Sequence, residues 1–184
     1  MTPRGIVVLM TSVVFSGHMI DASDRSVPRF PPDDVPIVAQ RVRQAVASVT
    51  DPGAQAFSGV ACGGDLIFCE AWLESGRPLT VFLPREVEGF LNQSVAFAGP
   101  AWVERFRAVT QHPSTTMVEP EPWMTDVEDP HTPNNLRMLQ SAWGAPPVVG
   151  IFVWDGGGGD GSGGTRDLAA AVRDAGCAVT VIAP

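Results

Sequence analysis

The apolar run from Ile6 to Phe15, IVVLMTSVVF, constrains this chain more than any other stretch. It falls short of the roughly 20 apolar residues that a membrane span needs. It is also too continuously apolar for a strand with one wet face, so it reads as a central strand of a parallel sheet, covered on both sides. A signal peptide is the competing reading. Only Arg4 precedes the run, however, and no A-x-A-like cleavage site follows it.

Helical and strand-like segments then alternate. Asp33 or Asp34 can cap a helix running to about Val49, where Asp51-Pro52-Gly53 breaks it. A short strand at Ala56–Ser58 leads to a helix from Asp65 to Ser75, and Pro78–Leu83 is a third strand. Helical pieces follow at Glu86–Leu91 and Trp102–Val109, and then at Asn134–Trp143, with Asn134 and Asn135 as its expected caps. Pro147–Trp154 is the fourth strand, Thr165–Ala175 a helix and Cys177–Ile182 the last strand. The pattern predicts a three-layer α/β sandwich with a mainly parallel, five-stranded sheet in a single domain, 1–184. The proline- and acid-rich segment 112–133 is expected as a long loop excursion.

Charge and residue usage narrow the chemistry. The net charge is −8, which argues against a nucleic-acid partner held through a basic surface. There is no Lys, so Walker A, pyridoxal and protein-kinase chemistry are excluded unless a partner supplies the amine. Cys62, Cys69 and Cys177 show no CxxC spacing and, with His18, His112 and His131, make no zinc pattern, so no metal is expected. Unpaired cysteines and the lack of a membrane span suit a reduced, cytoplasmic setting.

Three small or polar loops follow strands: SGHMID, SGVACGGD and WDGGGGDGSGGT. In open parallel sheets, ligands bind beyond the carboxyl ends of the strands. If the first strand is central, with the second and fourth beside it, the three loops converge. Glycines there let a ligand approach backbone, and helix amino termini offer N–H groups to an anion. Gly159 to Gly164 matches G-x-G-x-x-G, but the acidic residue that a dinucleotide site wants at the next strand's end is replaced by Ala183 and Pro184. The alternative for the glycine loop is a flexible connection. Arg166 opposes the helix dipole and so suits an anionic ligand, although Asp167 can also pair with it. Asp65 is either a helix cap or a ligand contact, Asp21 a turn stabiliser or a ribose acceptor. Cys62, at a helix start and one strand from His18, is a weak candidate nucleophile.

Ser16-Gly17-His18, the run Gly59 to Asp65, and Gly163-Gly164-Thr165 together resemble the SLOG superfamily, which includes the DprA-like, YpsA-like and LOG proteins. The resemblance implies a Rossmann-like fold with strand order 3-2-1-4-5 and a nucleotide or nucleotide-derived ligand. It also implies a domain fused to effector or repeat modules in a signalling or defence protein, or a homo-oligomer. The ligand-binding set becomes Ser16, Gly17, His18, Gly59, Gly63, Gly64, Asp65, Asp155, Gly163, Gly164, Thr165 and Arg166. LOG proteins are phosphoribohydrolases, with a Glu three residues after the Thr of their P-G-G-x-G-T motif. Here Leu168 stands at that place, and Asp167 is turned about 100° away on the helix. Met19 replaces the Arg of an SGHR-like turn. Asp65, Asp160, Asp167 and Cys62 are the weak catalytic candidates; binding or sensing is the leading expectation, a nucleotide N-glycosidase the alternative, and a ligand-free interaction domain the third reading.

Overall fold

The computed structural model describes residues 10–158 and 163–184. Among these, one six-stranded sheet runs β4-β3-β2-β1-β5-β6, every neighbouring pair parallel. The strands are β1 Ser12–Gly17, β2 Gln55–Ser58, β3 Leu79–Phe82, β4 Thr115–Val118, β5 Val148–Val153 and β6 Ala178–Ile182. The helices are α1 Val35–Ser48, α2 Gly64–Glu74, α3 Val87–Ser94, α4 Pro100–Thr110, α5 His131–Trp143 and α6 Thr165–Asp174.

Alternation along β1 explains the layers, because successive side chains leave opposite faces of a sheet. Val13 and Phe15 join one core with α1, α2, α3 and α4, whereas Val14 joins Phe57, Phe82 and Phe152 beneath α5 and α6. Phe15 stacks on Phe68 of α2 with centroids 4.1 Å apart. Helix α2 is buried along most of its length, as a helix lying on the sheet with α1 and α4 against it must be. No helix among the described residues is long and apolar enough to cross a membrane.

Three expectations need correction. The sheet has six strands rather than five, because Thr115–Val118, inside the supposed loop excursion, pairs with β3 in the register Leu79↔Thr115. Without that edge strand, the expected 3-2-1-4-5 order is the one observed. Strand β1 extends to Gly17, so Ser16 and Gly17 belong to the strand and not to the loop after it. Helix α5 begins at His131, so Asn134 and Asn135 are its fourth and fifth residues rather than its caps. Pro133 is compatible with that position because first-turn N–H groups lack intrahelical acceptors. Asp129 does the capping: its Oδ1 accepts from His131 N at 2.9 Å and Thr132 N at 3.3 Å.

Candidate functional site

The carboxyl ends of β1, β2 and β5 meet as the loop chemistry predicts. His18 N donates to Val153 O at 2.9 Å, and Gly64 N donates to His18 O at 2.9 Å. The end of β1 touches the start of α2 backbone against backbone. A Cβ on Gly17 would lie 2.7 Å from Gly64 Cα, and one on Gly64 would lie 2.8 Å from Gly17 Cα. Gly63 has φ +100°, and a side chain there would also strike His18 O at 2.6 Å. These glycines therefore allow close packing of chain on chain. Beside them opens a crevice of about 420 Å³, bordered by Ser16, Gly17, His18, Gly59, Asp65, Gly163, Gly164 and Thr165. Gly63, Gly64, Asp155 and Arg166 do not line it. Asp160 lies outside the described residues.

Asp65 closes the amino end of α2. Its Oδ1 accepts from Gly17 N at 2.9 Å and its Oδ2 from Ala61 N at 3.3 Å, so it ties strand to turn instead of capping its own helix. Gly59 makes room for it, since a Cβ there would lie 2.5 Å from Asp65 Oδ2. Burial raises the carboxyl to a pKa of about 7, outweighing the two N–H bonds that favour its charged form. The same burial pushes the Cys62 thiol up to about 12. A thiol so placed stays protonated at neutral pH and is a poor nucleophile. The imidazole expected beside it turns elsewhere, with His18 Nε2 3.0 Å from Asp155 Oδ1.

The start of α6 is built differently. Gly163, at φ +70°, packs against the first turn of α5, where a Cβ would come within 2.7 Å of Thr132 N. Its O accepts from Asn135 Nδ2 at 2.6 Å, and its N donates to Asp167 Oδ2 at 3.1 Å. Ser16 Oγ and Thr165 Oγ1 lie 3.0 Å apart. The N–H groups of Gly164 and Thr165 meet no acceptor among the described residues. Arg166 pairs with Asp167 at 3.1 Å on an exposed surface, an interaction worth at most about 1 kcal/mol.

Asp155 opens the glycine loop. Burial works against its charge, but hydrogen bonds from His18 and Gly157 N prevail and hold it below the ordinary value. Arg29 borders the crevice and donates from Nη1 to Gly158 O at 3.2 Å. Asp21 is a turn stabiliser, its Oδ2 accepting from Arg29 N at 2.8 Å and Phe30 N at 3.0 Å.

The wall formed by α5 and β3 was not anticipated. His131, Asn134 and Met138 of α5 border the crevice together with Phe82, Pro84 and Phe90. Burial and the nearby Arg85 charge lower the His131 pKa against the pull of Asp129. Asn134, 5% exposed, donates from Nδ2 to Phe82 O at 3.3 Å, and its buried Oδ1 meets no donor among the described residues. An acceptor left so costs about 1–3 kcal/mol. The paired asparagines were the one signal in the sequence, and their capping explanation hid it. Among the described residues no group of three or more His, Cys, Asp or Glu is placed to hold a metal ion.

No protein-family model matches this chain, and no curated protein matches it. Among solved structures, the chain is similar to DNA processing protein A (DprA) from Streptococcus pneumoniae, at 13% identity and a TM-score of 0.32. The match covers 93% of this chain and spans 58% of the length of that one.

Proposed function

We propose that the crevice binds a phosphate-bearing nucleotide or nucleotide-derived ligand, its phosphate seated at the amino end of α6. One observation carries this reading: Gly164 and Thr165 present N–H groups without an acceptor among the described residues, at a helix start that borders a crevice. Helix amino termini favour anions through those N–H groups and through the helix dipole. Ser16, His18 and Arg29 stand around the same end with donors of their own. Gly64 and Gly163, expected to help, have N–H groups already engaged within the chain. The SLOG-like motifs and a role as a sensing domain of a larger signalling or defence protein agree with this reading. So does function in the cytoplasm without nucleic acid or membrane.

Hydrolysis of the ligand is the second reading, and Asp65 is the observation that favours it. A carboxyl titrating near neutral pH on a crevice wall is suited to proton transfer. Both its oxygens already accept backbone hydrogen bonds, which places the weight on binding without turnover. Calorimetric titration with AMP, ADP-ribose, NAD and a cyclic nucleotide, followed by chromatography for released base, tests both readings. Saturable binding with no free base is expected. A folded sample that binds none of the four would overturn the binding site, and release of base abolished by Asp65→Ala would establish the hydrolase.

A further inference from the structure

The crevice has two ends of unlike chemistry. Toward α6 stand N–H groups, hydroxyls and Arg29; toward β3 stand Phe82, Pro84, Phe90 and Met138. Apolar and aromatic walls suit a flat heterocycle, for which a base has the right shape. A volume of about 420 Å³ lies low in the range of ligand pockets, roughly 300–1,000 Å³, and suits one nucleotide better than a dinucleotide.

One polar side chain is built into the apolar end. Asn134 Nδ2 donates to Phe82 O, which fixes the amide, because exchanging its nitrogen and oxygen would set two oxygens face to face. Its Oδ1 accepts from no group in the described residues, although Asn134 is 5% exposed and borders the crevice. Buried acceptors without donors are rare in folded proteins, and each one asks for a reason.

We infer that Asn134 selects the base, its Oδ1 accepting from an exocyclic amino group, so that the crevice prefers an amino-bearing base to its keto counterpart. The inference rests on the reading of the crevice as a nucleotide site. An oxygen fixed in a water-poor wall discriminates strongly. An amino group satisfies it, whereas a carbonyl in the same place leaves two acceptors facing each other. Because an acceptor alone does not separate a purine from a pyrimidine, adenine and cytosine both meet the requirement.

Calorimetry on the full chain tests this with ribose 5-phosphate and two matched pairs, AMP with IMP and CMP with UMP. The amino member of at least one pair is expected to bind tenfold or more tightly than its keto partner. Asn134→Leu should bring that ratio to within about threefold while leaving the affinity for ribose 5-phosphate unchanged. Purine riboside monophosphate, which lacks the amino group, provides a check without any substitution. If AMP is the preferred purine, it should bind the unaltered protein at least fivefold less tightly than AMP does. Ribose 5-phosphate binding with equal affinities inside both pairs overturns this inference and leaves the phosphate site standing. A parallel loss for every probe in Asn134→Leu assigns Asn134 a structural role and also overturns it. No binding by any probe overturns both this inference and the proposed function.

Discussion

The turns that start α2 and α6 each carry two consecutive glycines, Gly63-Gly64 and Gly163-Gly164, close to the end of β1. At α2, Gly64 N is held by His18 O, and Asp65 brings a carboxyl group that binds Gly17 N and Ala61 N. At α6, Gly163 is held by Asn135 and Asp167, while the N–H groups of Gly164 and Thr165 meet no acceptor among the described residues. The first turn fastens a helix to the central strand, and the second is where we propose that an anion sits. Glycine content alone does not distinguish them. What does is whether the chain itself supplies the acceptor.

The largest effect that can break this comparison is in the pH dependence of stability. The folded Asp65 carboxyl titrates near 7, against an ordinary value of 3.8. Between those values the native state holds a proton that the unfolded chain has released. Stability contributed by this group is therefore full below about pH 4 and declines as pH rises toward 7, by ~4 kcal/mol in all at ~1.4 kcal/mol per unit. Urea unfolding from pH 4 to 7 should show this decline in the native protein and a flatter profile in Asp65→Asn. Parallel profiles would mean that Asp65 is not the buried clamp described here. Next in size, Gly64→Val forces a side chain into Gly17 and should cost about 3 kcal/mol, lowering Tm by roughly 6–12 °C. A melting temperature unchanged within 2 °C would show that β1 and α2 are not locked together.

The smallest effect in stability sharpens the other half. Thr165→Asp gives α6 the carboxylate that α2 already has, which a helix amino end tolerates or favours by ~0.3–1 kcal/mol. Tm should move by less than about 3 °C, whereas affinity for AMP and for ribose 5-phosphate should fall tenfold or more. Undiminished binding of both would place the phosphate elsewhere.

The sheet was legible because its central strands are apolar runs bounded by glycine and proline, whereas their order came only from the family resemblance of the three loops. Strand β4 was not, since Thr115–Val118 is four residues long, partly exposed and set among prolines and acids. Only its pairing with β3 makes it a strand. The three loops were readable as neighbours from their positions after strands. Which of their N–H groups stay open depended on tertiary partners such as His18 O and Asp167, which no local pattern announces. Arg29 sat in a proline-rich loop and Asn134 behind a helix start, where polar residues have ordinary local uses. The weight given to Arg166 was misplaced, because Asp167 answers its charge.

The contact between Gly17 and Gly64 also bears on how this chain can vary. Each glycine fills the space that the other's side chain would take, so neither position can grow unless strand and helix part. Parting them would pull Asp65 from Gly17 N and widen the crevice floor at the same time. Phe82, Phe90 and Met138 on the other wall pack through side chains rather than backbone, and side chains can be exchanged for others of similar volume. Changes in the shape of the proposed ligand site are thus easier at the α5 and β3 wall than at the junction beneath it.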